Sequence, residues 1–325
     1  MTDSQQAEPE RSEPQAVLVT GGAGFIGANL CKALLDTGRY QVTVIDDFTT
    51  GYRSNLEGLD VRLVEASILD VDRLAEATPP GGVVVHLAAL GSVPRSVAHP
   101  VASHDVNATG TLQVLEAARA ANVRQVILAS SSSVYGDSDA PAKHELLPTA
   151  PKSPYGASKL ATEGYALAHQ RTYGIGVLAF RFFNVFGPLQ AAGHAYAAVI
   201  PSFVDDALRG NPVEVHGDGK QSRDFTYVGT VCATIVDAID REVTFDGPVN
   251  LAFGTQVPLL DVIDLIADEI GCAVERNHVD ERPGDIRHSK ADPERLHSLF
   301  DTITPVDIGT GVAQTIKWFR STGEY

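Results

Sequence analysis

Short apolar segments alternate with helical segments through the first half of the chain. Five of them have the length and the β-branched content of buried parallel strands: AVLVT (16–20), QVTVID (41–46), VRLVE (61–65), VVVHLA (83–88) and QVILAS (125–130). Amphipathic stretches such as GTLQVLEAARAANV lie between them. Because such strands are joined by right-handed helical crossovers, this order predicts an α/β fold with a doubly wound parallel sheet. GVLAFRF (176–182) predicts a sixth strand.

A glycine-rich turn, TGGAGFIGANL, directly follows the first predicted strand. Gly21, Gly24 and Gly27 are spaced three apart and open a helix, so backbone N–H groups and the helix N-terminus can approach a pyrophosphate. Asp46 ends the second strand, where its carboxylate can accept hydrogen bonds from ribose hydroxyls and would repel a 2′-phosphate. These features predict an NAD site, with Asp47 as a solvated neighbour.

The composition of the sequence changes after about Arg181, where loops rich in Gly, Pro and Asp appear. We therefore predict a Rossmann domain over 16–181, to which GPVNLAF returns a strand within about 229–251. A smaller C-terminal substrate domain, over 182–228 and 252–325, is expected at the carboxyl ends of the strands. Residues 1–15 are polar and acidic, which is typical of a disordered tail.

Charge and cysteine content exclude several classes of partner. The formal net charge of −16 disfavours nucleic acid and anionic membranes, so an anionic ligand would need a locally basic pocket. No apolar run approaches the roughly 20 residues of a membrane span. The N-terminus lacks the order of a secretory signal, and Cys31, Cys232 and Cys272 are far apart. We expect a cytoplasmic protein without disulfides or a metal site.

The stretch SPYGASK places a phenol and an ammonium one helical turn apart. Ser153 suits the N-cap and Pro154 the first helical position, so that Tyr155 and Lys159 share one face. A nearby cation lowers the pKa of an acid by roughly 1–3 units. We therefore predict that Lys159, together with a bound nicotinamide, brings Tyr155 towards the pKa of a general base. An ordinary polar helix face is the alternative.

Taken together, these motifs resemble those of the extended short-chain dehydrogenase/reductase superfamily over nearly the whole chain. The narrower resemblance is to UDP-hexose 4-epimerases, in the branch that acts on UDP-N-acetylglucosamine. It rests on HLAALGSVPRS (86–96), SSSVYGD (131–137), SPYGASK (153–159), RFFNVFGPLQ (181–190), AYAAVIP (195–201), GDGKQSRDFTYV (217–228) and RPGDIRHSKAD (282–292).

This resemblance implies an isomerase that oxidises the substrate to a transient 4-keto sugar with tightly bound NAD. Tyr155 would be the base, Lys159 its partner, and Ser131 the serine that binds the sugar 4-hydroxyl. The implied cofactor-binding residues are Gly21, Gly24, Phe25, Ile26, Gly27, Asp46, Asp47, Thr50, Gly51, Ser67, Ile68, Leu87, Ala88, Ala89, Asn107, Tyr155 and Lys159. The implied substrate-binding residues are Gly91, Ser92, Ser131, Ser132, Ser133, Asn184, Gln190, Ala198, Val199, Val215, His216, Arg223, Arg282, Asp285 and Ser289.

Within the second set, Asn184, Arg223 and Arg282 match the residues that hold the diphosphate in the family. Asp285 would hold the uridine ribose and His216 would lie against the uracil. One residue departs from the family pattern: the family usually has an Asp for adenine where this chain has Ser67 in ASI. A hydroxyl can still accept a hydrogen bond there, so the grip on adenine would be weaker.

The gate position of the sugar pocket aligns with Ser289, where epimerases confined to glucose and galactose carry a tyrosine. The smaller serine, with Gly91 in place of a bulkier residue and the amide of Gln190, leaves room for an N-acetyl group. The resemblance therefore predicts UDP-GlcNAc and UDP-GalNAc as substrates, with UDP-glucose and UDP-galactose secondary. A loop serine that faces solvent is the alternative interpretation of Ser289.

Two other functions remain open at this point. UDP-glucuronate 4-epimerases share SSSSVYG, although they generally carry Thr where this chain has Asn184 and lack FGPLQ. A non-catalytic NAD-binding module would tend to lose the Tyr-Lys pair, which this chain keeps. Sugar-nucleotide dehydratases and decarboxylases fit less well because they carry acidic residues where Ser132 and Ser133 stand. The resemblance also implies a homodimer through a four-helix bundle, and both predicted bundle helices carry an apolar stripe.

Overall fold

A parallel sheet forms the centre of the protein in a computed structural model that describes residues 14–192, 198–281 and 287–322. The strands are β1 Gln15–Thr20, β2 Tyr40–Asp46, β3 Val61–Glu65, β4 Val83–His86, β5 Gln125–Ser131, β6 Gly176–Phe182, β7 Val185–Phe186, β8 Val213–His216, β9 Ser222–Arg223, β10 Thr226–Tyr227, β11 Pro248–Leu251, β12 Val257–Pro258 and β13 Arg276–Val279.

Eleven α-helices occur in the described ranges. They are α1 Phe25–Asp36, α2 Val71–Ala77, α3 Val93–Ala98, α4 Pro100–His104, α5 Gly110–Ala120, α6 Pro154–Tyr173, α7 Val199–Leu208, α8 Val228–Asp240, α9 Leu259–Ile270, α10 Glu294–Leu299 and α11 Ile308–Ser321. A π-helical turn, Asp105–Thr109, joins α4 to α5. In the described part of the chain, no helix is long and apolar enough to cross a membrane.

Seven parallel strands form the main sheet in the order β11-β6-β5-β4-β1-β2-β3. The order in which strands are added to the sheet reverses at β1: β2 and β3 lie on one side of it, and β4, β5 and β6 on the other. This is the arrangement of a doubly wound sheet, so the predicted fold class is confirmed. The strand predicted at GPVNLAF is β11, and it joins the sheet beside β6.

Strand alternation divides the apolar side chains between two cores. Val17 and Val19 of β1 face a core that contains residues of α1 and α8, whereas Leu18 faces the opposite core with residues of α2, α5 and α6. The near-continuous apolar strands of the sequence are explained by this burial on both faces.

The remaining strands form three small ladders near the carboxyl edge of the sheet. β8 pairs with β13, β9 with β12 and β10 with β7. They carry the segment that follows β6 and the GDGKQSRDFTYV motif, so they place the predicted substrate residues at the edge where open α/β sheets bind ligands.

Candidate active site

Two glycines of the turn after β1, Gly21 and Gly27, leave no room for a side chain. Gly21 has φ +69°, and a Cβ on Gly27 would lie 2.2 Å from the carbonyl oxygen of Gly21. The N-cap of α1 is Gly24, which has no side chain to cover the first N–H groups of the helix. This bare helix N-terminus fits the pyrophosphate of a dinucleotide.

Asp46 lies at the end of β2 beside this turn and is buried. One carboxylate oxygen accepts the backbone N–H of Ala23 (2.9 Å) and the other accepts that of Phe48 (2.8 Å). Burial raises the pKa of Asp46, and the two backbone hydrogen bonds oppose that effect. The carboxylate is thus held rigidly against the glycine turn, as a ribose acceptor should be.

Several other predicted cofactor residues surround the same turn. Gly51 packs on Ala23, and Ala88 packs on Gly21. Ser67 accepts the N–H of Leu69 (3.3 Å). Phe25 and Ile26 form the first turn of α1, Ile68 is buried, Leu87 and Ala89 follow β4, and Asp47 and Thr50 are exposed.

Asn107 is buried in the π-helical turn, where it joins two elements of the site. Its Oδ1 accepts the N–H of Leu90 (2.8 Å) and its Nδ2 donates to Ser158 Oγ (3.0 Å). These bonds tie the segment after β4 to α6. Its amide therefore positions the walls of the site in this arrangement.

Helix α6 begins as the sequence predicts, with Ser153 Oγ accepting the N–H of Gly156 (3.1 Å). Lys159 is buried one turn further on, and its ammonium donates to the carbonyl oxygen of Ala129 in β5 (2.8 Å). Burial lowers the pKa of Lys159 to about 8. The hydrogen bond to Ala129 fixes the ammonium of Lys159 at the carboxyl edge of the sheet.

The phenol of Tyr155 meets the serine at the end of β5. A hydrogen bond with Ser131 lowers the pKa of Tyr155, but burial raises it and has the larger effect. Ser131 Oγ also accepts the N–H of Ser133 (3.1 Å) and lies 3.1 Å from its hydroxyl. Burial is thus the larger effect on the pKa of Tyr155 in this arrangement, and the lowering expected from Lys159 together with a bound nicotinamide stays a prediction.

A buried polar network behind this pair escaped the sequence analysis. Ser130 Oγ donates to Glu163 (3.0 Å), which also forms an ion pair with Arg181 (2.5 Å). The guanidinium of Arg181 lies 4.6 Å from the ring centroid of Tyr135. The sequence did contain a signal for this network, because an arginine inside the apolar strand GVLAFRF needs a buried partner for its charge.

A cavity of about 490 Å³ opens between the small ladders and α7. It contains five predicted substrate residues, namely Asn184, Ala198, Val199, His216 and Arg223, and also Val185, Phe186, Ile200, Pro201, Ser202, Phe203, Asp206, Glu214, Gln221, Phe225 and Leu259. Val215 is not among the residues that line the cavity, because its side chain is fully buried in the core. Strand alternation turns Glu214 and His216 towards the cavity and Val215 away from it.

Polar groups of the cavity are oriented by their neighbours. Asn184 has φ +28° and donates through Nδ2 to the carbonyl oxygen of Asp224 (3.0 Å). His216 Nδ1 donates to the carbonyl oxygen of Asp280 (2.9 Å). Its Nε2 lies 3.0 Å from a carboxylate oxygen of Glu214 but outside hydrogen-bonding alignment.

The residues predicted for the sugar end lie on different elements. Ser289 is only 6% exposed and donates its N–H to the carbonyl oxygen of Ser222 (3.1 Å), so it is not a solvent-facing loop serine. A Cβ on Gly91 would meet only open space, and Ser92 caps α3. Gln190 Oε1 is buried and has no partner among the described residues. Ser132 is half-buried, and Arg282 and Asp285 lie outside the described residues.

Comparison with known proteins places this site in a family. A model of the NAD-dependent epimerase/dehydratase family matches residues 17–252. The UDP-glucose 4-epimerase of Mycolicibacterium smegmatis is 35% identical over 318 residues, which cover 94% of this chain and 98% of that relative.

Two solved structures extend the comparison. The UDP-N-acetylglucosamine 4-epimerase from Methanobrevibacter ruminantium, in complex with UDP-N-acetylmuramic acid, has a TM-score of 0.90, is 35% identical and covers 96% of this chain and 100% of its own. The UDP-glucuronic acid 4-epimerase from Bacillus cereus, with UDP-glucuronic acid and NAD, has a TM-score of 0.84 and is 29% identical, covering 94% and 99%. The predicted family and its NAD cofactor are confirmed, and the chain belongs to the NAD-dependent epimerase/dehydratase family.

Proposed function

We propose that this protein inverts C4 of UDP-hexoses through a transient 4-keto sugar. One observation carries the proposal: Tyr155, Ser131 and Lys159 converge at the carboxyl edge of the sheet that also carries the glycine turn. The cavity with Asn184 and Arg223 supplies room for the nucleotide.

The chemistry explains why a redox cofactor serves an isomerase. The hydrogen on C4 of a hexose is not acidic, so simple deprotonation cannot invert that carbon, whereas oxidation to a ketone can. When bound, NAD supplies a reversible hydride acceptor for this step. It ends each cycle in its starting state, so we expect it to stay bound to the glycine turn and Asp46.

Ser131, Tyr155 and Lys159 then each have a role in the reaction. Ser131 orients the sugar 4-hydroxyl towards Tyr155, and the phenolate takes its proton. The ammonium of Lys159 stabilises that phenolate when the site is assembled, because opposite charges lower the pKa of an acid. The same tyrosine returns the proton after the keto sugar has turned over about its diphosphate linkage.

We propose UDP-GlcNAc and UDP-GalNAc as the preferred pair, with UDP-glucose and UDP-galactose secondary. The small side chain of Ser289, which is buried, and the absence of a side chain at Gly91, where a Cβ would meet nothing, are compatible with room for an N-acetyl group. The side-chain oxygen of Gln190 is buried and accepts no hydrogen bond from the described residues, so it is available to accept one from an N–H of the substrate. The similarity to the M. ruminantium enzyme adds support.

UDP-glucuronate 4-epimerisation is the second candidate. It is favoured by the similarity to the B. cereus enzyme, whose structure holds UDP-glucuronic acid. Serines Ser131, Ser132 and Ser133 stand where either sugar class would be bound, so they do not discriminate between the two. A non-catalytic NAD-binding module would not require Tyr155 and Lys159 to be placed as they are.

We also propose a homodimer in which α5 and α6 pair with their symmetry mates. The two helices already contact each other, since His169 Nε2 lies 3.0 Å from Glu116 Oε1. Tyr165 of α6 is 42% exposed and Val101 of the neighbouring α4 is 70% exposed. Apolar groups at this density on one side suit a partner surface.

The test combines cofactor and product analysis. Denatured, purified protein should release NAD, and anomeric proton NMR should show UDP-GlcNAc and UDP-GalNAc interconverting without added NAD. UDP-glucuronate and the UDP-glucose pair serve as comparison substrates. A protein that releases no nicotinamide nucleotide, or that converts none of these sugars, would contradict the proposal.

A further inference from the structure

Lys143 is a buried lysine that the proposed reaction has not used. It is only 3% exposed and lies in the segment between β5 and α6. Its N–H donates to the carbonyl oxygen of Lys290 (2.8 Å), and its carbonyl oxygen accepts from Asp292 N (3.0 Å) and Asn250 Nδ2 (2.8 Å). The backbone of Lys143 is therefore fixed on both sides, which directs its side chain into the protein.

The ammonium of Lys143 has no hydrogen-bond acceptor or ion-pair partner within residues 14–192, 198–281 and 287–322. It lies 6.0 Å from the ring centroid of Tyr135. That distance is the outer limit of a cation–π interaction. Lys143 is nearly buried as a whole, and an ammonium whose three donors are unused by the described residues can accept a ligand oxygen as a partner.

Carboxylates near Lys143 are already engaged elsewhere. Glu145 accepts the N–H of Asn250 (2.8 Å) and lies 3.9 Å from Arg295. Asp224 accepts from the N–H groups of Gly254 and Ala291, and from the hydroxyl of Thr255. Neither carboxylate forms a pair with Lys143.

Arg223 of the cavity is a neighbour of Lys143 with the same charge. Lys143 forms a β-bridge with Ala291, and Ser222, the residue before Arg223, forms one with His288. The segment around Ser289 therefore lies between the two cations. Burial and the positive charge of Arg223 both lower the pKa of Lys143. Arg223 lines the ligand cavity, and two neighbouring cations form a site for an anion.

We infer that Lys143 binds an anionic oxygen of the nucleotide sugar, beside Arg223 and at the border between the nucleotide and sugar ends of the site. This inference rests on the proposed function, since a UDP-sugar brings the anion. The oxygen belongs either to the diphosphate, which every UDP-sugar has, or to the carboxylate of an acidic sugar. Both sources present the same chemistry to the ammonium.

Replacement of Lys143 separates this role from a structural one. A lysine that stabilised the fold through Tyr135 would lower the melting temperature when replaced. A lysine that waits for a ligand leaves a buried, unpaired charge in the free protein, so Lys143→Met should leave the melting temperature unchanged or raise it. Lys143→Arg keeps the charge, and Lys152→Met is the matched control because Lys152 is an exposed lysine of the same segment, paired with Asp137.

The experiment measures binding of UDP, UDP-GlcNAc and UDP-glucuronate by calorimetry to NAD-loaded protein, with melting temperatures in parallel. Wild-type binding of UDP is established first, since its absence would contradict the proposed function itself. We expect Lys143→Met to weaken binding roughly 10- to 100-fold, Lys143→Arg to retain more of the affinity, and Lys152→Met to match wild type.

The choice of ligand identifies the source of the anion. Equal weakening for all three ligands assigns Lys143 to the diphosphate, and weakening confined to UDP-glucuronate assigns it to a sugar carboxylate. Unchanged affinity of Lys143→Met for all three, while the wild type binds UDP, would overturn the inference. A lowered melting temperature without a change in affinity would overturn it as well.

Discussion

At the scale of single residues, the position of Tyr155 is fixed by several neighbours before any ligand binds. Its backbone N–H donates to Ser96 Oγ (3.0 Å), and Ser131 lies beside its phenol. The ammonium of Lys159 is held by its hydrogen bond to the carbonyl oxygen of Ala129. Such preorganisation allows a proton to move without rearrangement of the protein, which is the condition for efficient general-base catalysis.

Tyr155→Phe removes only the phenolic oxygen, so we expect turnover to fall by roughly 10²–10⁴ or more while UDP and NAD binding persist. The loss of one hydrogen bond should lower the free energy of unfolding by about 1 kcal/mol. Turnover is measured by NMR and binding by calorimetry. Tyr165→Phe, an exposed tyrosine on the same helix, is the control and should keep full activity. Substantial turnover by Tyr155→Phe would assign the base to another group.

Ser289→Tyr tests the proposed sugar preference. A phenol ring in place of the buried hydroxymethyl group should overfill the pocket beside the sugar C2 substituent, at a cost of about 1–3 kcal/mol. We expect kcat/KM to fall far more for the N-acetylated pair than for the glucose pair. Ser298→Tyr, at an exposed position of α10, is the control. Equal losses on both pairs would remove Ser289 from the sugar pocket.

What the sequence predicted at this scale depended on chain-local motifs. Gly21, Gly27, Tyr155 and Lys159 were identified because their spacing is itself the chemical signal. Other polar residues in and around the site, among them Glu163, Arg181, Lys143 and Asp206, escaped notice. Their environment depends on residues distant in sequence, and a single charged residue in a sequence does not reveal what faces it.

At the scale of elements, strand and helix periodicity predicted every strand of the main sheet. The ends of strands were less accurate: VVVHLA was expected to be extended to residue 88, but β4 ends at His86. There the hydroxyl of Thr20 becomes a partner for the N–H groups of Leu87 and Ala88, at 3.2 Å each. The N–H of Leu87 also donates to the carbonyl oxygen of Thr20 (3.1 Å), which is the last residue of β1, so the ladder ends where the neighbouring strand ends. Periodicity contains no information about that neighbour.

The junction of β1 and α1 gives a prediction about the cofactor. In Gly27→Ala the new Cβ would lie 2.2 Å from Gly21 O and 2.7 Å from Gly22 Cα, so the turn must open. We expect the purified variant to release far less NAD on denaturation than wild type and to melt at a lower temperature. Gly164→Ala, in α6, is the control because its Cβ would meet nothing within 4 Å. Wild-type NAD content in Gly27→Ala would argue against a cofactor at this turn.

At the scale of the whole molecule, the two faces of the sheet differ in the side chains that stay exposed on the helices covering them. The core beneath α2, α5 and α6 is closed by Leu115, Ala118 and Ala166, which are fully buried. Beyond that core, α6 still presents Tyr165 and the neighbouring α4 presents Val101. The ligand cavity opens elsewhere, between α7 and the small ladders. Association through α5 and α6 would therefore leave substrate access unchanged.

Tyr165→Glu should convert the proposed dimer to a monomer. A carboxylate at a position buried by a symmetry mate would be desolvated twice, once in each protomer and close to its own copy, which is strongly unfavourable. Light scattering at micromolar concentration should give twice the chain mass for wild type and the single chain mass for the variant, with UDP binding retained by both. Leu146→Glu is the matched control, because Leu146 is 80% exposed in the segment between β5 and α6 and should stay dimeric when charged. A wild-type protein of single chain mass, or a Tyr165→Glu variant that remains a dimer, would remove α6 from the interface.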